Sequence, residues 1–402
     1  MRSTHGERAV GVFLLVAAIG LPIWHALYDG AYGNPVMALP PGIARPPHIA
    51  LVTQDGATIA WTTSVAMRGG VEYAAVGEPW TRVTPDRVVR NHEVRLEALR
   101  PATRYQYRLI VHGRPRGGTH SFLTAPGPDA TIRVVLVGDT GSGSPRQRAV
   151  IDRIRQLQPD LIVHTGDLAY PSGTPAEVFG RFVVPFAELR DHVPMLATLG
   201  NHDVKTDGGR PILDAMVLPE NRATGDETFY RWQHGPLEVI CVDTESSLAP
   251  GSPQREWLER TLDGRPTAWR LVFGHRAIYA GSRSRGDPAL RDHLAPLLER
   301  ARVPLYASGH DHVYMRTFPL RNGTPVDQDQ EPRYRVPTAP VYVVTGGGGK
   351  SLYEIEDVPH NAASARRDHV VLLVVSPTHI DAKAIAVDGE ELDHFTLERE
   401  PS

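Results

Sequence analysis

The chain has 402 residues, 41% of them hydrophobic and 22% charged, a composition that supports a large buried core and excludes a disordered chain, a collagen or a polytopic membrane protein. Its 43 basic and 46 acidic residues give a formal net charge of −3, and the basic ones are dispersed, so nucleic acid is not an expected partner. The single cysteine, Cys241, excludes an intrachain disulfide and a cysteine-rich zinc module, whereas the 18 histidines matter because imidazole both ligates metals and carries protons near neutral pH.

The first element in chain order is an uncharged apolar run, Ala9 to Ile23, behind Arg2 and Arg8. That is the layout of an export segment. Residues 1–28 are read as a signal peptide or a retained signal anchor, which places the protein outside the cytoplasm: secreted, periplasmic or membrane-anchored, with membrane contact only through that anchor. Residues 29–46, rich in proline and glycine, read as a linker. Residues 47–127 read as short strands separated by turns. Thr58 to Thr63 alternates, with Ile59 and Trp61 on one face, and a second alternating strand follows the turn at Pro101. The pattern is similar to a fibronectin type III β-sandwich, with Trp61 in its core and Tyr105 or Tyr107 at a tyrosine corner.

From residue 131 to the C-terminus, apolar runs alternate with helical stretches, as in an α/β or layered α+β domain. Five runs end alike. Val134 to Val137 leads into Gly138-Asp139-Thr140-Gly141, and Leu161 to Val163 leads through His164 into Gly166-Asp167-Leu168-Ala169-Tyr170. Met195 to Leu199 leads into Gly200-Asn201-His202-Asp203, Leu271 to Phe273 into Gly274-His275, and Leu305 to Ala307 into Ser308-Gly309-His310-Asp311-His312. A buried strand fixes its carboxyl end, and a glycine there lets the backbone turn tightly beside an ion. Asp, Asn and His from five such ends would then share one crevice.

These blocks resemble the signature of purple acid phosphatases, a branch of the calcineurin-like metallophosphoesterases: D-x-G, G-D-x-x-Y, G-N-H-[DE], V-x-x-H and G-H-x-H, in that order. The resemblance implies a catalytic domain of two facing β-sheets flanked by helices, with a dinuclear metal centre. Asp139, Tyr170 and His312 would hold the first metal, Asp167 would bridge, and Asn201, His275 and His310 would hold the second. A phenol is a poor ligand unless a strongly acidic metal takes its proton, so Tyr170 argues for Fe(III) at the first site, beside a divalent Fe, Zn or Mn. With a bridging hydroxide such a centre keeps net positive charge and attracts phosphate. The implied reaction is hydrolysis of a phosphorylated small molecule, a phosphate monoester, by a metal-bound hydroxide. His202, beside Asn201, would bind the phosphate and protonate the leaving alkoxide. Phosphodiester or nucleotide pyrophosphate cleavage at the same centre is the alternative. In place of the histidines that plant relatives carry after V-x-x-H, this chain has Arg283 and Arg285, candidate donors to phosphate oxygens.

Other features are read as structural. Gly346 to Ser351 lacks the first glycine of a nucleotide-binding loop, and the run is expected to let the backbone pass close to the metal crevice or simply to turn. His164 is expected to support the site from behind, Cys241 to fill a buried strand, and Pro288 to Arg300 to be helical.

Overall fold

The computed structural model describes residues 42–399 except 222, 265, 267, 283–285, 327, 329–331, 337 and 338. The export segment, most of the linker, Arg283 and Arg285 therefore lie outside the described residues. Among those described, no helix is long and apolar enough to cross a membrane.

The first domain has seven strands: β1 (Ile43–Ala50), β2 (Ala57–Met67), β3 (Gly69–Ala75), β4 (Thr81–Val83), β5 (Val89–Leu96), β6 (Arg104–Val111) and β7 (Arg114–Leu123). They form antiparallel sheets β1-β2-β5 and β4-β3-β6-β7. Alternate residues turn inward, so Ile59, Trp61, Tyr107, Leu109 and Phe122 share one core, each contributing about 1.5–3 kcal/mol by burial. The Tyr105 hydroxyl accepts from Arg100 N at 3.0 Å, which makes Tyr105 the corner tyrosine. Tyr107 instead donates its hydroxyl to the Asp191 carbonyl of the next domain at 2.8 Å.

One boundary moves. β1 starts at Ile43, inside the stretch read as linker, and its register to β2 shifts between Arg45 and His48. Pro46 and Pro47 lie in that shift; lacking N–H groups, they are tolerated because β1 is an edge strand with a bulge.

The second domain contains β8 (Ile132–Val137), β9 (Leu161–His164), β10 (Met195–Ala197), β11 (Tyr230–His234), β12 (Leu237–Cys241), β13 (Trp269–Phe273), β14 (Leu305–Ser308), β15 (Tyr314–Thr317), β16 (Leu320–Arg321), β17 (Thr324–Pro325), β18 (Arg333–Val336), β19 (Val341–Thr345), β20 (Asn361–Ala365), β21 (His369–Val375), β22 (His379–Ala386) and β23 (Glu391–Arg399). Two seven-stranded sheets result, β10-β9-β8-β21-β22-β23-β18 and β11-β12-β13-β14-β19-β15-β20. They face each other across one apolar layer that includes Val134, Leu136, Val239, Leu271, Leu305 and Val343. A second cluster, with Trp257 and Leu298, lies between the second sheet and its helices.

Strands β8, β9 and β10 run parallel, as do β12, β13, β14 and β19. β13 is buried at all five positions, as expected for a central strand covered on both faces. Parallel strands put their carboxyl ends at the same edge, and this gathers the five motif turns. The helical stretch after Pro288 is divided into Pro288–His293 and Ala295–Arg300. Pro296 has no N–H to continue the first helix.

Candidate metal centre

The turns after β8, β9, β10, β13 and β14 meet in one crevice. Their glycines are needed for the close approach. A Cβ at Gly138 would collide with Thr165 Oγ1, one at Gly200 with the Asp167 carboxylate, and one at Gly309 with Asp139 Oδ2. Asp139, Asp167 and His310 sit at φ 60°, 56° and 67°, a left-handed conformation that costs a non-glycine residue about 1 kcal/mol or more and clusters at functional sites. Backbone contacts hold them there: Asp139 N donates to the Gly166 carbonyl at 3.0 Å, and His310 N to Asp139 Oδ2 at 2.9 Å.

The side chains fall into two groups. In the first, Tyr170 Oη is 2.9 Å from Asp139 Oδ1 and 3.1 Å from His312 Nε2. In the second, Asn201 Oδ1 is 3.0 Å from His275 Nε2 and 2.9 Å from His310 Nδ1, and the two ring nitrogens are 3.2 Å apart. Asp167 Oδ1 joins them, 3.6 Å from His275 Nε2. Ligand atoms of Asp139, Asp167 and His275 all lie within 4.8 Å of one another. All seven residues expected to ligate metal are thus brought together.

The hydrogen bonds behind them fit a cation. His275 Nδ1 lies 2.9 Å from the Thr165 carbonyl, and His312 Nδ1 2.8 Å from the Ser351 carbonyl. A carbonyl only accepts, so each Nδ1 carries a proton and each ring turns Nε2 into the crevice. There it meets Asn201 Oδ1, or Asp139 Oδ1 at 3.3 Å. Acceptors facing acceptors at this range need a proton or a metal ion between them. With oxygen and imidazole donors and no thiolate, the set suits iron, zinc or manganese.

Charge agrees with this. Burial opposes ionisation of Asp139, yet the hydrogen bond and charge of His312, then His275 and His310, hold its carboxyl below the ordinary value. His310 is pushed down by burial and by His275. Burial, then Asp139 and Asp167, push the Tyr170 phenol well up, so it stays protonated until a stronger acid replaces its proton.

His202 lies at the rim, its ring centroid 4.5 Å from that of Tyr170. Nδ1 lies 2.7 Å from the Pro171 carbonyl and 2.9 Å from Lys205 Nζ, which leaves Nε2 as the ring nitrogen that these groups do not engage. His202 N donates to Asp167 Oδ1 at 2.9 Å, tying the rim to the centre.

Sequence reasoning missed four neighbours. Asp203, buried, accepts from Gly200 N at 2.9 Å, Ala169 N at 3.1 Å and Leu168 N at 3.2 Å, pinning two motif turns together; its place at the end of the Gly-Asn-His-Asp block was the available signal. Burial and the Asp167 charge push it up to about 7, and a cation on Asp167 would cancel that repulsion. Lys205 Nζ is 2.9 Å from His202 Nδ1, and Lys350 Nζ sits 4.5 Å above the Tyr170 ring. Tyr353 stacks on His312 at 4.3 Å. The rarity of lysine in this chain could have marked both lysines; nothing local marked Tyr353.

The remaining expectations fall into place. A Cβ on Gly346 would come 2.9 Å from Asp139 Oδ2, and one on Gly348 would strike the Gly138 carbonyl, so the glycine run does pass the crevice. His164 Nε2 is 2.8 Å from Thr140 Oγ1, behind the centre, and Cys241 is buried in β12. Beside His310 a cavity of about 100 Å³ opens, lined also by Arg276, Asp287 and Asp311.

Residues 132–314 match the calcineurin-like phosphoesterase family, over the segment that supplies all seven donors. That segment is similar to the calcineurin-like phosphoesterases. Among curated relatives, the probable inactive purple acid phosphatase 1 of Arabidopsis thaliana is 26% identical over 359 residues, 77% of this chain and 58% of that protein. A nucleotide pyrophosphatase/phosphodiesterase of Hordeum vulgare is 26% identical over 317 residues, 68% of this chain and 85% of that one. The chain thus spans about three fifths of the longer Arabidopsis relative. A purple acid phosphatase from yellow lupin seeds superposes with a TM-score of 0.80 at 22% identity, covering 88% of this chain and 74% of the lupin chain. The two domains therefore share the purple acid phosphatase fold.

Proposed function

We propose that this protein is an exported acid phosphatase that hydrolyses phosphate monoesters at a dinuclear Fe(III)–M(II) centre, M being Fe, Zn or Mn. The observation that carries the reading is the pair of imidazoles, His275 and His312, each spending one N–H on a backbone carbonyl and turning the other nitrogen to opposing acceptors. Asp139, Tyr170 and His312 would hold one ion, Asn201, His275 and His310 the other, with Asp167 between. Bound metals would supply positive charge to the phosphoryl oxygens and acidify a water. Lys205 and Lys350 add positive charge at the rim, and His202 would protonate the departing alkoxide. The intact donor set favours activity although the Arabidopsis relative is named probable inactive. Export rests on the apolar run Ala9 to Ile23.

The barley relative's name, a nucleotide pyrophosphatase/phosphodiesterase, supports diester or pyrophosphate cleavage as a second reading. Turnover of an aryl phosphate monoester against the corresponding diester, on protein of measured metal content, separates the two. A visible absorption band that disappears in Tyr170→Phe supports iron on the phenolate. Colourless, active protein holding only divalent metal overturns the iron assignment and spares the hydrolase.

A further inference from the structure

A second polar cavity lies away from the metal crevice, between the two domains. It measures about 30 Å³ and is lined by Arg45, His48 and Trp61 of the β-domain and by Arg190 of the catalytic domain. That is room for about two waters, or for one small oxyanion whose oxygens replace them.

Two guanidiniums line the cavity, together with Asn91 and the solvent-exposed residues Glu93 and Asp214. Arg190 is only 4% exposed, yet among the described residues it has no carboxylate partner. Nη2 donates to the Ala215 carbonyl at 2.6 Å, and the guanidinium lies 4.6 Å over the Phe182 ring. A guanidinium has five N–H donors, and these contacts leave most of them unused. Arg45 enters from the other side, donating to the Asp214 carbonyl at 2.7 Å, while the Asp214 carboxylate is engaged by Arg210 at 2.7 Å. His48 Nε2 and Trp61 Nε1 are buried without a hydrogen-bond partner among the described residues, and indole N–H can only donate. A buried, unpaired cation is strongly unfavourable, and here burial and the Arg45 charge push Arg190 down to about 9. Two guanidiniums, one of them buried without a carboxylate partner, line this small cavity with Trp61, whose indole N–H is unpartnered, and such donors suit an anion.

We propose that this cavity binds one small tetrahedral oxyanion, phosphate or sulfate, which bridges Arg45 of the first domain and Arg190 of the second. The site is separate from the metal centre, and its occupancy fastens the domains together. Phosphate released by a phosphoesterase would then be a stabilising ligand of the same chain.

The test is thermal unfolding of the full chain in sodium phosphate, sodium sulfate and sodium chloride at matched ionic strength. A His310→Ala variant separates this site from binding at the metal centre. The expected result is a saturable rise in Tm with phosphate or sulfate but not chloride, kept in His310→Ala and weakened roughly tenfold or more in half-saturating concentration in Arg45→Met. Arg190→Met should abolish it; because that change touches the core, Trp61→Phe, which removes only the orphan N–H and part of a ring, serves as a second arm and should also weaken binding. Equal response to all three salts, loss of the effect in His310→Ala, or unchanged binding in both Arg45→Met and Trp61→Phe would overturn the proposal. A response to one oxyanion alone identifies the ligand.

Discussion

His275 and His310, from the ends of two adjacent strands, place Nε2 and Nδ1 only 3.2 Å apart. Two imidazoles this close cannot both be protonated without strong repulsion, and together with Asn201 they are arranged to share one positive ion. We expect two metal equivalents per chain by elemental analysis and one fewer in His275→Ala. Chelation should lower the Tm reversibly, since a metal at a hundredfold its dissociation constant stabilises by about 2.7 kcal/mol. Unchanged metal content in His275→Ala would remove the second site.

A methyl group should be enough to break the centre. Gly200→Ala drives a Cβ into the Asp167 carboxylate and backbone, whereas a Cβ added to Gly225, at φ 71°, would meet nothing within 4 Å. Gly200→Ala should lose metal and at least roughly a hundredfold in turnover. Gly225→Ala should lose only about 1 kcal/mol of stability and keep its activity. Similar kinetics for the two variants would show that the close approach is not what holds Asp167.

His202 offers a test that depends on the leaving group. Its Nδ1 faces the Pro171 carbonyl at 2.7 Å and Lys205 Nζ at 2.9 Å, so Nε2 is the nitrogen left to deliver a proton. His202→Ala should slow hydrolysis of an alkyl phosphate by roughly a hundredfold or more, and that of an activated aryl phosphate far less, because its leaving group needs no proton. Equal losses on both substrates would reduce His202 to a phosphate-binding residue.

Acid should weaken the fold independently of the metal centre. Burial pushes His234 and His369 down to about 4, from an ordinary value near 6.5. Between those values the unfolded chain takes up protons that the folded chain refuses, so stability rises with pH across the window and is fully present above it. Each histidine should cost about 1.4 kcal/mol per pH unit on acidification through the middle of the window. Urea unfolding from pH 7 to 5 should show this slope, and His234→Leu should flatten it by about one proton. An unchanged slope would mean that His234 does not refuse its proton in the fold. An enzyme working in mild acid would operate on the falling side of this curve.

The motif turns and the candidate donors were legible in the sequence because each block is local: strand, glycine and ligand are contiguous, and Asp139, Asp167, Asn201, His275 and His310 need no partner to be recognised. Alternation in β2 likewise marked Trp61 as core. The choice between Tyr105 and Tyr107 was not local. It depended on Arg100 N approaching one hydroxyl and the Asp191 carbonyl the other, which requires the two domains to be docked. Pro296 divided a stretch whose composition reads as helix throughout.

What the sequence by itself determined, then, is the chemistry of the donor set and the order in which strands deliver it. Only the tertiary structure decided which donors face each other and what stands behind them. Asp203 pins its own turn to the one after β9 through backbone N–H groups, Tyr353 covers His312, and Lys350 reaches Tyr170 from a distant part of the chain. All of these are contacts between segments whose sequences carry no record of one another. The interdomain cavity follows the same rule. Nothing local in the sequence singles out Arg45 or Arg190, and only packing of two domains leaves them beside one unfilled space.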